Sequence, residues 1–304
     1  MEKNTLMRIV VIGKSGQLAQ EIGRLESNII FFGREDINIV DYAQMAKILD
    51  EYNIDSIINA AAYTAVDKAE SDQQNAYDLN QTAVANLANY AKKHNCHLVH
   101  VSTDYVFGGD KGSPYKVEDS YHPQGVYGAS KAAGEKAVLE IYPLASCILR
   151  TSWVYSTHGN NFVKTMLRLM AEKSELGVID DQIGSPTWAR YLAKACIYAI
   201  KHRVSGIYHW TDAGVASWYD FALAIQSLAL EKGLLSKAIP IKPIPSSAYP
   251  TLAKRPHYSV LDKSNLASEF GCPMPIYWRD TLSEMLDELC ALNSNIIKKQ
   301  QKNL

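Results

Sequence analysis

The chain has 304 residues, of which 47% are hydrophobic, and its formal net charge at pH 7 is −1. This length and hydrophobic content suffice for one large domain or two coupled lobes with a substantial core. The chain has 31 basic and 32 acidic residues and no basic block. It therefore lacks the positive electrostatic potential that would attract nucleic acid or an anionic membrane. We therefore expect neither as a partner.

The N-terminal segment and the cysteines both indicate a cytoplasmic protein. The apolar run that follows "MEKNTLMR" is too short to span a bilayer and passes directly into a glycine turn instead of a cleavage site. The cysteines show no CxxC spacing, which favours buried free thiols over disulfides or a zinc site. They are Cys96, Cys147, Cys196, Cys272 and Cys290.

In the first half of the chain, short apolar runs bounded by turns alternate with longer helical patterns. Strands are predicted at "MRIVVIG", "NIIFFG", "SIINAAA", "HLVHVS" and "SCILRTSWVY". Helices are predicted at 17–25, 41–52, 73–94 and from residue 127 onward. Strands that are apolar along their whole length are typical of a parallel sheet with helices on both faces. The predicted fold class is therefore α/β, a Rossmann-type doubly wound parallel sheet.

After Trp153 the alternation loosens, and a smaller, mainly C-terminal substrate-binding lobe is expected. Helices are predicted near 161–172, 187–202, 217–232 and 279–292, with a proline-rich connection "IPIKPIPSSAYP". Since α/β sheets bind ligands at the carboxyl ends of their strands, this lobe would close over the first. The expected units are a dinucleotide-binding Rossmann domain at 1–150 with return segments near 187–210, a lobe largely at 151–292 that binds a nucleotide sugar, and a frayed polar tail at 293–304.

The stretch "VVIGKSGQLAQEI" predicts a phosphate-binding turn. It puts Gly13 and Gly16 between the first strand and the first helix, with Ala19 at the third small position. The glycines allow a tight turn and close approach of a pyrophosphate, whose charge faces the helix N-terminus. The location of the turn favours dinucleotide binding over a structural role. The expected cofactor contacts here are Gly13, Ser15, Gly16, Gln17 and Leu18.

The end of the second strand indicates which nicotinamide cofactor binds. An acidic residue that would hold the ribose hydroxyls of NAD is usual at this place, but "FFGRED" supplies Gly33 and Arg34. An arginine there can hold a 2′-phosphate. We therefore expect NADPH, with NADH as the second choice.

The stretch "YGASKAAGEK" places Tyr127 and Lys131 four residues apart at the start of a predicted helix, and hence on one face. A tyrosine hydroxyl has a pKa of about 10, too high for easy proton transfer near neutrality. A nearby ammonium would lower that pKa, so Lys131 is expected to tune Tyr127 as well as to bind a cofactor ribose. The small residues around this pair are expected to let cofactor and sheet approach closely.

Hydroxyl and carboxyl side chains end the fourth predicted strand, in "HVSTDYVFGG". Ser102, Thr103 and Asp104 thus lie at the edge of the sheet where ligands bind. A hydroxyl there can hydrogen-bond the carbonyl oxygen that Tyr127 would protonate. The alternative for Ser102 and Thr103 is that they only cap a turn.

The sequence resembles the extended short-chain dehydrogenase/reductases. The stretches that carry the resemblance are "GKSGQLA", "INAAAYTAVDKAES", "STDYVFGG", "VYGASKAAGE", "LRTSWVYSTHGNNFVKTMLRL", "DDQIGSPT" and "AYPTLAKRPHYSVLD". They span nearly the whole chain in order, and the central four are specific to a branch that reduces 4-keto nucleotide sugars.

The resemblance implies Thr103, Tyr127 and Lys131 as the catalytic residues. The reaction it implies is transfer of a hydride from NADPH to C4 of dTDP-4-dehydro-L-rhamnose while Tyr127 protonates the oxygen. The product would be dTDP-L-rhamnose, a precursor of cell-surface polysaccharide.

The resemblance also implies which residues line the ligand sites. Ala60, Ala61 and Ala62 would pass beside the cofactor. The substrate contacts would be Thr64, Val66, Asp104, Tyr105, Trp153, Asn161 and Arg255, with Tyr63, Asp67, Asn160, Gln182, Pro186 and Thr187 nearby. Arg255 suits a diphosphate, because a guanidinium can bind two oxygens at once.

The sequence departs from the family pattern at Ala19, at Asn38 and at Tyr258, which follows His257. Some bacterial members dimerise around magnesium held by carboxylates. The residues aligned with those ligands are Glu21, Arg190 and Glu288, and because an arginine cannot ligate a cation, we expect no metal and leave a homodimer open. His97 and His100 lie three apart in a predicted strand and point to opposite faces, so they predict no metal site.

Three other functions compete with this reduction. A nucleotide-sugar dehydratase or epimerase on the same scaffold would bind NAD tightly and recycle it. Dehydratases of this group follow the threonine with an Asp-Glu pair that performs the elimination, and because Tyr105 follows Asp104 here, simple reduction is favoured. Reduction of another 4-keto-6-deoxy nucleotide sugar stays open, because the sequence does not fix stereochemistry. A non-catalytic regulatory subunit of a methionine adenosyltransferase also resembles this family, but the intact Thr103, Tyr127 and Lys131 favour catalysis.

Overall fold

Six parallel strands form the central sheet in the computed structural model, which describes residues 7–271 and 274–302. The order across this sheet is β2-β1-β3-β4-β5-β10, which confirms the predicted doubly wound fold class. The strands are β1 Ile9–Ile12, β2 Ile29–Phe32, β3 Ser56–Asn59, β4 His97–Thr103, β5 Ser146–Thr151, β6 Val154–Tyr155, β7 Leu176–Ile179, β8 Ile183–Gly184, β9 Thr187–Trp188, β10 Gly206–His209, β11 Ala216–Ser217 and β12 Ile241–Ile244.

Helices cover both faces of this sheet, and its inner strands β1, β3 and β5 are therefore buried on both sides. The helices are α1 Gln17–Leu25, α2 Tyr42–Leu49, α3 Val66–Ala69, α4 Gln73–Tyr77, α5 Ala83–His94, α6 Val126–Ile141, α7 Phe162–Glu172, α8 Ala189–Lys201, α9 Trp218–Glu231 and α10 Trp278–Lys302. Helices α1 and α8 pack on one face, through residues such as Ile22 and Leu192. Helices α2, α5 and α6 pack on the other, through residues such as Met45, Leu87 and Val138.

The strand order reverses beside β1, whose neighbours are β2 on one side and β3 on the other. A doubly wound sheet opens a crevice at such a reversal, outside the carboxyl ends of its strands. The chain leaves β1 at Ile12, β3 at Asn59 and β4 at Thr103, so the segments after these residues border the crevice. The predicted glycine turn, the alanines at 60–62 and the Thr103–Asp104 pair begin at these strand ends, whereas Tyr127 and Lys131 lie on α6.

A second hydrophobic cluster lies in the later part of the chain. It combines α7, α9 and α10 with short strands, and its buried members include Met166, Phe221 and Leu282. The strands here form pairs, β6 with β9, β7 with β12 and β8 with β11. Helix α8 and strand β10 instead return to the central sheet.

Several elements differ from the sequence prediction. The predicted strand "SCILRTSWVY" is two strands, because Trp153 adopts a left-handed backbone (φ 48°) between β5 and β6. The predicted helix over 73–94 contains a π-helical turn at Asp78–Thr82. The last helix continues to Lys302 instead of ending near residue 292, and residues 303–304 of the polar tail lie outside the described residues.

Four of the five cysteines lie among the described residues. Cys96, Cys147 and Cys196 are buried free thiols and Cys290 is a partly buried one, while Cys272 lies outside the described residues. Of the helices in 7–271 and 274–302, none combines the length and the apolar character that crossing a membrane requires.

Candidate active site

Three side chains predicted to be catalytic lie together at the carboxyl edge of the sheet. Thr103 ends β4, and Tyr127 and Lys131 lie one turn apart at the start of α6. Thr103 lies near enough to Tyr127 to act on the pKa of its hydroxyl. Thr103 Oγ1 also donates to Asp104 Oδ1 at 3.0 Å and accepts from the Tyr105 amide at 3.2 Å. The arrangement provides two adjacent hydroxyls that can contact one carbonyl oxygen.

The electrostatics of this trio differ from the sequence prediction. Loss of hydration raises the pKa of Tyr127 to about 12, with the Thr103 hydrogen bond opposing the shift and the Asp104 charge adding to it. Lys131 Nζ donates to the Val101 carbonyl at 2.6 Å, so the predicted lowering of the Tyr127 pKa by Lys131 is wrong for the protein without ligands. Burial lowers the pKa of Lys131 itself to about 8.

Two of the small residues of α6, Gly128 and Gly134, make room for neighbouring backbone. A Cβ on Gly128 would lie 2.2 Å from the carbonyl oxygen of Tyr105, and one on Gly134 would lie 2.1 Å from that of Asn80. The helix is thereby held close to the end of β4 and to the π-helical turn. This packing fixes the height of Tyr127 and Lys131 above the sheet edge.

A cavity of about 740 Å³ opens at the reversal of strand order, and we call it the first cavity. All the residues predicted to contact the cofactor line it, together with Thr64, Asn38 and Asn160. The predicted set is Gly13, Ser15, Gly16, Gln17, Leu18, Arg34, Ala60, Ala61, Ala62, Tyr127 and Lys131.

The turn after β1 has the geometry of a phosphate site. Gly13 adopts φ 105°, and a Cβ there would lie 2.8 to 3.0 Å from the backbone of Ala60 and Ala61. Helix α1 begins after Gly16, and among the described residues no side chain caps its N-terminus. The amides of the first turn therefore remain available to an anion. Ala19 is buried where α1 packs on the sheet.

Arg34 is exposed at the end of β2 and lines the first cavity. The nearby Asp36 carboxylate accepts from the Gly33 amide at 2.8 Å and pairs with Lys14 at 3.3 Å. The Gly33 hydrogen bond is the main cause that holds the pKa of Asp36 below its usual value. The Asp36 carboxylate is thus engaged with protein groups, whereas Arg34 lines the cavity.

A second cavity, of about 810 Å³, lies between α7, the β7–β12 pair and the segment 244–257. Arg255, Gln182, Trp218 and His257 line it. Tyr258 does not; it packs beside Phe107 and Leu261.

Tyr105 lies between Tyr127 of the first cavity and Arg255 of the second. Its ring packs edge-on against that of Tyr127, with ring centroids 5.4 Å apart, and it is near enough to Arg255 to help keep the pKa of the guanidinium raised. A ligand that reaches from Arg255 to Tyr127 would therefore pass along Tyr105.

Other predicted substrate residues border the cavities or support them. Val66 begins α3, and Asp104 is buried, with burial raising its pKa to about 6. Trp153 stacks on Trp218 at 3.5 Å between ring centroids and lines neither cavity. Pro186 and Thr187 are buried at the start of β9.

Asn161 has a structural position in this conformation. Its side chain caps α7 by accepting from the Lys164 amide at 3.1 Å, and it donates to Gln17 Oε1 at 2.8 Å. It lines neither cavity, whereas its neighbour Asn160 lines the first. Asn161 thus ties the phosphate turn to the later lobe.

Sequence reasoning missed a buried ion pair beneath the site. Arg150 on β5 and Glu135 on α6 are 1% and 0% exposed and pair at 2.8 Å between Nη2 and Oε2. Glu135 also accepts from Tyr121 at 2.9 Å and from Ser102, which commits the Ser102 hydroxyl to this network. The available signals were an arginine inside an apolar strand and a glutamate one turn after Lys131, on the same face.

A missed residue also holds the start of α6. Gly125 has no side chain that could cap this helix, and Glu70 Oε1 instead accepts from the Val126 amide at 2.9 Å. A carboxylate at a helix N-terminus is stabilised by the helix dipole as well as by the hydrogen bond. Glu70 thereby fixes the first turn, which carries Tyr127.

The residues aligned with magnesium ligands form an ion-pair network. Arg190 donates to Glu21 at 2.6 Å and to both oxygens of Glu288, at 2.6 and 2.9 Å. Within the described ranges, no group of three or more His, Cys, Asp or Glu lies where it could hold a metal. The two strand histidines have separate partners, since His97 bonds the Val204 carbonyl and His100 bonds Asn59.

The fold and this arrangement of hydroxyls, lysine and phosphate turn define an extended short-chain dehydrogenase/reductase. The family described as "RmlD substrate binding domain" matches residues 7–291, and the chain belongs to it. The chain is 40% identical to the dTDP-4-dehydrorhamnose reductase of Aggregatibacter actinomycetemcomitans, over 92% of this chain and 98% of that protein. It is also 40% identical to that of Escherichia coli K12, over 93% and 98%.

A solved structure supports the same family. The dTDP-4-dehydrorhamnose reductase of Bacillus anthracis, determined in complex with NADP, superposes with a TM-score of 0.87 at 34% identity. The match covers 93% of this chain and 99% of that one. The likeness therefore extends over both cavities.

Proposed function

We propose that this protein catalyses the NADPH-dependent reduction of the C4 ketone of dTDP-4-dehydro-L-rhamnose to dTDP-L-rhamnose. The observation that carries the proposal is that Tyr127 and Lys131, one turn apart on α6, both line the first cavity, with Thr103 beside Tyr127. Membership of the family and the shared name of its relatives support the same reaction.

The first cavity suits NADPH in shape and in charge. The close approach at Gly13 and the uncapped start of α1 favour a pyrophosphate, and Arg34 favours a 2′-phosphate. When bound, the cofactor supplies the hydride. Lys131 would hold its ribose hydroxyls, because Nζ already lies at the cavity wall.

Tyr127 would act as the proton donor. Its raised pKa keeps the hydroxyl protonated throughout the neutral range, so the proton is present when the ketone arrives. Thr103 would hydrogen-bond the same oxygen and align it with Tyr127. The Lys131 ammonium would favour the phenolate that remains after the transfer.

The second cavity would take the dTDP part of the substrate. Arg255 offers a guanidinium to the diphosphate, and Trp218 offers an aromatic wall to the base. The sugar would then lie along Tyr105, towards Tyr127. Substrate and cofactor are both highly charged metabolites, which supports a cytoplasmic location. Association of two copies into a homodimer is a separate proposal, which light scattering can test.

The direct test is oxidation of NADPH by the purified protein with dTDP-4-dehydro-L-rhamnose generated in place, followed by identification of the sugar. We expect consumption of NADPH and formation of dTDP-L-rhamnose. Tyr127→Phe is the matched control, because it removes only the hydroxyl, and it should lose turnover while still binding NADPH. Another sugar isomer would refute the substrate assignment, and no oxidation with either cofactor would refute the reaction.

A further inference from the structure

Asp67 and Arg255 form an ion pair between distant parts of the chain. Arg255 Nη2 donates to Asp67 Oδ2 at 2.7 Å, and Nη1 donates to Asp67 Oδ1 at 3.1 Å. Asp67 lies on α3, which follows the central strand β3, whereas Arg255 lies on the segment that lines the second cavity. The pair therefore joins the sheet edge to the wall of that cavity.

The same carboxylate also holds the backbone of this wall. Asp67 Oδ1 accepts from the Ala253 amide at 3.1 Å, and Ala253 is buried and lines the second cavity. Asp67 thus makes three hydrogen bonds to two residues of one segment. It sets the direction of the guanidinium and the path of the chain that carries it.

The segment 246–255 is held at both ends and open in the middle. At its first end, the Asp181 carboxylate accepts from the Ser246 amide at 2.9 and 3.0 Å and from its hydroxyl at 2.9 Å. Between the two ends, Tyr249 and Leu252 are 61% and 80% exposed. Without Asp67, only the first end would remain anchored by a carboxylate.

Stability alone does not explain the pair. The Arg255 and Asp67 side chains are 22% and 40% exposed, and ion pairs with this exposure add little to the free energy of folding. Their bidentate geometry nevertheless fixes the plane of the guanidinium. A guanidinium carries five N–H donors. Asp67 takes one on each terminal nitrogen and the Ala253 carbonyl takes the second on Nη1 at 3.4 Å, so Nε and the second donor of Nη2 remain for a ligand in the cavity.

We propose that Asp67 is a positioning residue that holds Arg255 in the orientation that binds the diphosphate of the nucleotide substrate. The inference rests on the proposed function for the identity of the ligand. Asp67 acts through Arg255 and is not itself a contact of the phosphates, because two anionic groups at contact distance repel. The pair stays formed when the diphosphate binds.

The first experiment measures binding of dTDP and of thymidine to the full-length protein and to Asp67→Asn. The asparagine keeps the size of the side chain but loses its charge and one guanidinium contact. We expect dTDP to bind about tenfold more weakly, as for loss of a charge-assisted bidentate contact, and thymidine to bind unchanged. The surface variant Glu175→Gln, which breaks an exposed pair with Lys242, is the matched control and should bind both ligands as the wild type does.

The second experiment repeats the comparison in an Arg255→Ala background. If Asp67 acts only through Arg255, Asp67→Asn has no further effect on dTDP binding there. An equal loss in both backgrounds would overturn the positioning role. So would unchanged or tighter dTDP binding by the single variant, since tighter binding would mean that Asp67 competes with the diphosphate.

Steady-state kinetics give an independent test of the positioning role of Asp67. Asp67→Asn should raise KM for the keto sugar by about the same factor and leave kcat and the KM for NADPH near their wild-type values. Because the binding measurements need no reaction, absence of turnover by the wild type would count against the proposed function only. Failure of the wild type to bind dTDP would overturn the role given to Asp67.

Discussion

The two cavities are built in opposite ways. The first is lined largely by residues within or just after strands of one sheet, together with Tyr127 and Lys131 one turn apart on α6. The second is lined by segments that are distant in sequence, between Phe162 and His257, and its arginine depends on a carboxylate about 190 residues earlier. The first cavity is therefore a local product of the fold, and the second depends on long-range pairing.

The charged groups of the two cavities differ in their exposure to water. Beneath the first cavity, Glu135 and Arg150 are removed from water and Lys131 is nearly so. At the second, Asp67 and Arg255 remain partly exposed and are screened by solvent. Substitutions at the first should therefore change stability or chemistry strongly, whereas substitutions at the second should change binding modestly.

The largest effect is expected for Lys131→Met. Loss of the ammonium removes the group that would stabilise the Tyr127 phenolate and hold the ribose, so kcat should fall by about 10³-fold and NADPH should bind more weakly. Stability should change little, because burial opposes the charged lysine and lowers its pKa to about 8, while the Val101 carbonyl loses the hydrogen bond from Nζ. Steady-state kinetics and urea unfolding measure both.

The pH dependence of the wild-type enzyme gives a second test of the role of the Lys131 ammonium. The pKa of Lys131 in the free protein is lowered, so its ammonium is present below about pH 8 and is lost above it. Wild-type kcat/KM for NADPH, which reports the free enzyme, should therefore decline above that pH. A profile that stays flat to pH 9.5 would contradict the role of the ammonium.

The next effect is expected for Glu135→Gln. The substitution leaves the Arg150 charge buried without its carboxylate, which should lower the free energy of unfolding by about 3 kcal/mol. Glu140→Gln is the matched control, because Glu140 lies on the same helix but is exposed, and it should be nearly neutral. Urea unfolding of both variants measures the difference.

The same variant also tests how the ion pair acts on the site. The Glu135 carboxylate raises the pKa of Lys131 against the effect of burial. Its loss should therefore move the alkaline decline of kcat/KM to lower pH. Wild-type stability together with an unmoved profile would show that the pair neither supports the fold nor tunes the lysine.

The sequence predicts the first cavity better than the second, for a physical reason. Gly13, Thr103, Tyr127 and Lys131 lie next to strand ends or one helical turn apart, so spacing alone places them. The pairing of Asp67 with Arg255 and of Glu135 with Arg150 depends on tertiary packing, which periodicity does not report. The left-handed backbone at Trp153 and the water lost around Tyr127 likewise follow only from the folded chain.

The smallest effect is expected for Arg34→Ala, which tests the charge of the first cavity at its exposed rim. Loss of the guanidinium that holds the 2′-phosphate should raise the KM for NADPH about tenfold. The KM for NADH should change little, because only NADPH carries that phosphate. Raising the salt concentration should reduce the difference, since the side chain is exposed. Arg279→Ala removes an exposed arginine that lines neither cavity and should affect neither cofactor. Equal losses for both cofactors in Arg34→Ala would mean that Arg34 contacts a part that they share, such as the adenine, and that the preference for NADPH arises elsewhere in the cavity.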